Sequence, residues 1–197
     1  MSSMEPLPAQ RLALLDDVPQ IAELMRTSLL AIFPRYYDAR QTASAAMHVA
    51  KLDLQLVEDG TYYVHEAGGE IVACGGWSRR HKLYAGAGKT AGDDRLLEPA
   101  TEPARVRAMF VRDDWTRRGL GRAILTSCER AARAEGFTRL VLGATLPGEP
   151  LYRALGFSEV KRIEVVTPDG IALAGVVMER EIDRGVRQLD RSETDFK

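Results

Sequence analysis

The apolar positions change period several times along the chain, and each change marks an element. Arg11-Leu-Ala-Leu-Leu15 is a short apolar run that predicts a first strand. Asp17, Pro19 and Gln20 have the form of a capped helix start. Val18, Ile21, Met25 and Leu29 then recur at helical spacing, which predicts a helix with one buried stripe, stopped by Pro34. Asp38 with Gln41 repeats the capping pattern and opens a second, alanine-rich helix running to about Asp53. From Thr61 the period drops to two. Thr61–Ala67 is β-branched and aromatic, Gly68-Gly69 is a hairpin turn, and Glu70–Trp77 is the returning strand. Between Arg79 and Pro103 no period is sustained, and the stretch reads as a long functional flap with a short helical turn near Leu96. Alternation resumes in a strand over Ala104–Val111, with Val106, Ala108 and Phe110 set against Arg105, Arg107 and Met109. A glycine-containing turn leads into a helix over Leu120–Glu135, ended by Gly136, in which Leu120, Ile124, Cys128 and Ala131 share a face. Leu140–Thr145 predicts a strand and Pro150–Leu155 a short helix. Val160–Val166 and Ala172–Glu181 predict two last strands joined through Pro168-Asp169-Gly170. The order is that of a mixed α/β sheet with helices on its faces.

Length sets one domain over residues 1–183, followed by a polar tail over 184–197 that is expected to be mobile. With 45% hydrophobic and 28% charged residues the chain is globular in composition, and it is long enough to bury a core without disulfides. The formal net charge of -1 supplies no field for nucleic acid or an anionic membrane. No apolar run reaches the length of a membrane span, and Met1–Gln10 lacks a basic-then-apolar secretion pattern, so a cytoplasmic protein is expected. Cys74 and Cys128 lie in apolar contexts without metal-ligand spacing. They read as two reduced, buried thiols, with no metal site.

Chemistry concentrates in Met109-Phe-Val-Arg-Asp-Asp-Trp-Thr-Arg-Arg-Gly-Leu-Gly-Arg122. Here a strand runs into a turn that opens a helix. Consecutive backbone N–H groups in such a turn, with the positive end of the helix, form an anion site. Gly119 and Gly121 let the backbone approach closely, and Arg117, Arg118 and Arg122 add charge that reaches phosphate. A pyrophosphate is the natural guest. The run is neither G-x-x-x-x-G-K-[ST] nor G-x-G-x-x-G, because Gly119-Leu-Gly121 is followed by Ile124, so two other phosphate loops are excluded.

Arg-Arg-Gly-Leu-Gly-Arg after a strand ending Phe-Val resembles the acetyl-CoA motif [Q/R]-x-x-G-x-[G/A] of the GCN5-related N-acetyltransferase (GNAT) superfamily. Thr116 stands at the motif's first position, a departure. Further on, Pro150-Leu-Tyr-Arg-Ala-Leu-Gly-Phe157 resembles that family's Y-x-x-x-G-F segment, with Thr145 where the family often has an Asn. The resemblance implies a mixed, mostly antiparallel sheet with helices on both faces and a splayed central strand pair. It also implies acetyl-CoA as acyl donor. The pantetheine arm would lie between Met109-Phe110-Val111 and Leu142–Thr145, bonded to free main-chain groups of Met109 and Val111. The phosphates would sit on Thr116, Arg117, Arg118, Gly119, Leu120, Gly121 and Arg122, with Thr145 beside the cofactor. Tyr152 would protonate the departing thiolate as the amine of an acceptor attacks the thioester.

Glu70, Asp113, Asp114, His65 and His81 are available by type as a base. None is assigned, since many enzymes of that family work through water; His48 reads as surface. An acceptor pocket built by the first two helices, the flap and the last hairpin would draw on Tyr36, Tyr37, Trp77, Arg79, Arg80 and Tyr84. The rings suit an apolar or cationic acceptor and the arginines a carboxylate, although for each residue taken separately the plainer reading, Trp77 as core and the arginines as solvated surface, is favoured. The rival readings are a non-catalytic acyl-CoA-binding regulatory module of the same fold and a small-nucleotide binder. Tyr152 argues against the first. The missing Walker lysine and Mg²⁺ pattern argue against the second. No basic stripe with interleaved aromatics supports nucleic-acid binding. The expected partners are therefore acetyl-CoA and an amine acceptor. Dimers are common in that family, which leaves a homodimer open.

Overall fold

The uncharged run Ile71–Ser78 is buried at every position, and a strand apolar on both faces belongs at the centre of a sheet covered on both sides. The computed structural model describes residues 7–83 and 94–183 and builds a seven-stranded sheet around that run. The strands are β1 (Ala9–Leu12), β2 (Tyr62–Ala67), β3 (Glu70–Ser78), β4 (Ala104–Val111), β5 (Arg139–Thr145), β6 (Ser158–Val166) and β7 (Ala172–Glu181). Their order across the sheet is β1-β2-β3-β4-β5-β7-β6, and only β4 and β5 pair in parallel. One core face packs α1 (Val18–Ile32), α2 (Ala39–His48) and α3 (Gln55–Glu58) against the sheet through Ile21, Met25, Leu29, Ala45 and Leu56. The other packs α4 (Leu120–Ala134) and α5 (Glu149–Ala154) through Leu120, Ile124, Cys128 and Tyr152. This is the mixed, mostly antiparallel architecture with helices on both faces that the sequence predicts.

The boundaries differ where a distant partner intervenes. β1 starts and ends earlier than the run Arg11–Leu15, because Leu14 and Leu15 are exposed and begin a turn of 3₁₀ helix over Leu15–Asp17. Asp17 does not cap α1. Its carboxylate turns back to accept from the Leu14 amide (2.7 Å) and from Arg11 (2.6 and 2.9 Å), while the Gln20 side chain accepts from the Ile71 amide (3.2 Å). Asp38 and Gln41 do form the capping box, at 2.8 and 3.0 Å. α2 ends at His48 rather than near Asp53, which releases the chain to place the Asp53 carboxylate 3.0 Å from Arg107.

The ends of the predicted flap continue the β3–β4 pairing. Arg80 bridges Leu96, and the Leu97 amide donates to Arg79 (2.8 Å). The helical turn falls at Glu98–Glu102, not at Leu96. Residues 84–93, which include Tyr84, and the tail over 184–197 lie outside the described residues.

One irregularity in β4 shapes the site. Gly76 pairs with Arg107 and Cys74 with Phe110, so β4 spends one more residue than β3 over this stretch. The extra residue is Ala108, whose φ of 52° is left-handed, and the structure is a β-bulge. The fully buried Tyr62 donates its hydroxyl to the Ala108 carbonyl (2.7 Å). Opposite the bulge the backbones crowd: a Cβ on Gly76 would stand 2.4 Å from the Thr61 carbonyl, and one on Gly75 2.6 Å from Met109 Cγ. The extra residue reverses which side chains face which core. Ala104 and Val106 face the α4 side before it; Met109 and Val111 do so after it, while Ala108 and Phe110 pack toward α1. Arg107, predicted with the polar set, lies on the face opposite Val106, and because helices cover both faces of the sheet it is only 5% exposed. β4 pairs with β5 only at Ala104 and Arg105, and beyond Arg105 the strands part.

Candidate active site

The parting of β4 and β5 opens a cleft of about 150 Å³ that passes through the sheet. Met109, Thr145, Gly148 and Tyr152 line one mouth; Phe33, Tyr37, Arg107 and Leu173 line the other. The Arg112 amide donates to the Val72 carbonyl (2.9 Å), so alternation makes Phe110 the next residue of β4 bonded to β3. Met109 and Val111 consequently turn their main-chain groups away from β3, toward the gap. The Val111 carbonyl accepts from Ser28 Oγ (2.9 Å). The Phe110 main chain is committed to β3, although the residue itself lines the cleft.

After β4 the chain makes a 3₁₀ turn over Asp113–Trp115 and then the glycine turn. Gly119, at φ 89°, sets the left-handed step from which α4 starts. The first main-chain bond closing the helix runs from the Ala123 amide to the Gly119 carbonyl (3.0 Å). The amides of Arg117 through Arg122 have no main-chain acceptor among the described residues. They converge at the positive end of a fifteen-residue helix, which is the physical basis of an anion site. Thr116 adds no side-chain donor there, since its hydroxyl donates to the Asp113 carbonyl (2.8 Å). Arg117 and Arg122 are exposed, and Arg118 stacks on Trp115 at 4.5 Å. Leu120 is core. Gly121 is buried beneath Leu151 and Met109, and through Met109 the turn adjoins the cleft.

Tyr152 projects from α5 with its ring edge-on to Phe157 (5.7 Å), and it lines the cleft. Its hydroxyl has no partner among the described residues, and burial pushes the phenol above its ordinary value, which keeps it protonated. Thr145 closes the end of β5 beside it, accepting from the Gly148 amide (3.0 Å).

None of the bases available by type lines the cleft. His65 is buried on β2, donates from Nδ1 to the Pro8 carbonyl (2.9 Å) and is held below its ordinary value by burial. Glu70 and Asp114 both hold Arg112 (2.7 Å each), and Asp113 is exposed. His48 lies 3.7 Å from Asp169. Of the acceptor candidates, Trp77 is core, packed edge-on to Phe137 (5.9 Å). Arg79 pairs with Glu135 (2.8 Å), Arg80 pairs with Asp59 (2.8 and 2.9 Å), and Tyr36 is exposed. Tyr37 does reach the cleft, but its hydroxyl is fully used: it donates to the Ala174 carbonyl (2.7 Å) and accepts from the Leu146 amide (2.9 Å). Sequence reasoning missed Arg107 and Asp53. The readable signal was Gly75-Gly76, since glycines inside a strand mark bulges. Cys74 and Cys128 are buried free thiols; burial pushes Cys74 up to about 12 and Cys128 up likewise, so neither is a nucleophile. Among the described residues no group of three metal-ligating side chains occurs, and no helix is long and apolar enough to cross a membrane.

The fold recurs in solved structures. A GCN5-related N-acetyltransferase from Rhodopseudomonas palustris is 20% identical, with a TM-score of 0.67 over 89% of this chain and 96% of that one. The PaiA N-acetyltransferase of Thermoplasma acidophilum, solved in complex with coenzyme A, is 12% identical, with a TM-score of 0.61 over 88% and 98%. A ribosomal-protein-alanine N-acetyltransferase from Brucella melitensis is 18% identical, with a TM-score of 0.56 over 88% and 99%. No curated protein matches the sequence. The acetyltransferase (GNAT) family pattern matches residues 19–157, a span that contains the bulged strand, the amide-lined turn and the buried tyrosine. The chain belongs to the GNAT family of acetyltransferases.

Proposed function

We propose that the chain is an acetyl-CoA-dependent N-acetyltransferase in which the acceptor amine attacks the thioester directly. The observation that carries this reading is the continuity of the acceptor-less amides at Arg117–Arg122 with the cleft between β4 and β5. Those amides fit a pyrophosphate, and the outward main chain of Met109 and Val111 fits the amide groups of a pantetheine arm. Acetyl-CoA supplies the activated acyl carbon. A main-chain N–H of β4 faces the acyl oxygen as it gains negative charge. The new C–N bond forms as the C–S bond breaks. The thiolate takes the Tyr152 proton, and water restores it. No carboxylate or imidazole lines the cleft among the described residues, so the amine loses its proton to water. The coenzyme A complex of the Thermoplasma protein supports the choice of donor.

Calorimetric titration of the purified chain with acetyl-CoA, with ATP and NADH as controls, is the test. The expected result is binding of acetyl-CoA alone, followed by thiol release with a panel of amines. Tyr152→Phe is expected to lower turnover by about 100-fold or more with little change in acetyl-CoA affinity. Binding without thiol release would leave a non-catalytic module. Unchanged turnover in Tyr152→Phe would remove the phenol from the reaction.

A further inference from the structure

Arg107 is the most buried charged group at the cleft, with its side chain 3% exposed. Its Nη1 donates to Asp53 (3.0 Å), while Nε and Nη2 are buried with no partner among the described residues. Those two nitrogens form one edge of the guanidinium, the edge that grips a carboxylate with two parallel bonds. Elsewhere in this molecule that edge is used in this way. Arg80 turns it to Asp59 (2.8 and 2.9 Å), Arg112 to Asp114 (2.7 and 3.0 Å) and Arg26 to Glu23 (3.1 and 2.9 Å). Arg79 and Arg180 also leave Nε buried and unpaired, yet each pairs Nη2 with a glutamate. Only Arg107, among the described residues, has the whole edge buried and unpartnered.

The charge balance points the same way. Asp53 is shared between Arg107 and Lys82 (3.1 Å), so one carboxylate faces two cations. A buried excess of positive charge is costly unless an anion meets it. The same mouth offers Phe33, Val49 and Leu173 and, among the described residues that line it, no acid to meet a second ammonium, which disfavours polyamines. Arg107 and Met109 flank the bulge at Ala108 and both line the cleft, so a small molecule seated at Arg107 is carried toward the gap between the strands.

We propose that the acceptor is a small amino acid whose carboxylate is held by the Nε–Nη2 edge of Arg107. This rests on the acetyltransferase reading above. The guanidinium fixes the acceptor at one mouth of the cleft so that its amine reaches the thioester between the strands.

The test uses the full chain and matched acceptors: free amino acids, the corresponding amino-acid amides and decarboxylated amines, and short peptides. Acetyl-CoA affinity is measured in parallel. The expected result is a preference of at least about 100-fold in kcat/KM for the free acid over its amide, since a site built for a polar group rejects the analogue that lacks it. Arg107→Met should remove that preference through KM and leave acetyl-CoA affinity unchanged, and Arg107→Lys should restore part of it. Wild-type protein that binds acetyl-CoA and acetylates amides, amines or peptides as well as free acids overturns the proposal and leaves the acetyltransferase reading standing. Absence of acetyl-CoA binding overturns both. The wild-type comparison of acid with amide needs no variant to fold.

Discussion

Asp53→Asn keeps the shape of the side chain at the Arg107 pair and removes only its charge. The guanidinium, 3% exposed, would then face the Lys82 ammonium across a neutral amide. Removing one partner of a buried ion pair costs about 3–5 kcal/mol. Asp53 keeps 19% of its side chain in water, and asparagine can still accept one bond, so the lower end applies, about 3 kcal/mol. Arg107→Met breaks the same pair from the other side but strands no charge, because Asp53 retains Lys82 at 3.1 Å. Its expected loss is about 1 kcal/mol or less. At about 2–4 °C per kcal/mol for a chain of this length, Asp53→Asn should lower Tm by roughly 6–12 °C, and Arg107→Met by at most about 4 °C. Urea unfolding at unchanged m converts these shifts to free energies. The contrast also depends on pH. Burial alone would raise the Asp53 carboxyl, but the Arg107 charge and the Lys82 hydrogen bond outweigh it and hold the group below its ordinary 3.8. Its contribution is therefore complete above that value and is lost as pH falls below it, so the gap between wild type and Asp53→Asn should be full at pH 7 and close in acid. Equal losses in the two variants, or a gap that persists in acid, would show that Arg107 is not a buried charge dependent on Asp53.

Two further outcomes are expected. Gly119→Val forces a branched residue into φ 89°, a strain of about 1–2 kcal/mol, and although a Cβ there meets no protein atom within 4 Å, it enters the space in front of the turn amides; acetyl-CoA affinity by calorimetry should fall at least about tenfold, and unchanged affinity would detach the turn from the donor. Tyr62→Phe leaves the Ala108 carbonyl without its buried donor, and a loss of about 1–2 kcal/mol in urea unfolding should follow; a neutral substitution would mean that the bulge holds without it.

Elements that depend on their own neighbours were legible in the sequence. The Asp38–Gln41 box, the Gly68-Gly69 hairpin and the one-sided stripe of α4 each rest on contacts within a few residues, and each formed as read. Asp17 shows the limit of local reading. Its pattern was as good as that of Asp38, but Arg11 and the Leu14 amide claimed its carboxylate. The bulge was hidden for a different reason. Its left-handed residue is an alanine, a type that announces no such turn, so simple alternation kept Met109 on the face of Arg107, whereas the extra residue carries Met109 to the α4 side. The amide-lined turn of the candidate site was readable because glycine and arginine mark it in one continuous segment. The mouth at Arg107 was not, because Arg79 and Arg80 look as available as Arg107 until Glu135 and Asp59 are found beside them.

The two mouths of the cleft are written in different alphabets. An anion seated on the turn after β4 meets amide groups, which every residue except proline supplies, so most side-chain changes there are silent to it as long as Gly119 keeps its left-handed backbone. Thr116, whose hydroxyl and amide both donate to the Asp113 carbonyl, offers an anion neither donor. At the other mouth Arg107 and Tyr37 present side chains, and any replacement is heard at once. Drift can therefore carry such a chain far from its relatives, as the 12–20% identities illustrate, without altering the shape of the backbone at one end. On the acceptor proposal above, a change of acceptor can be made by one codon in β4.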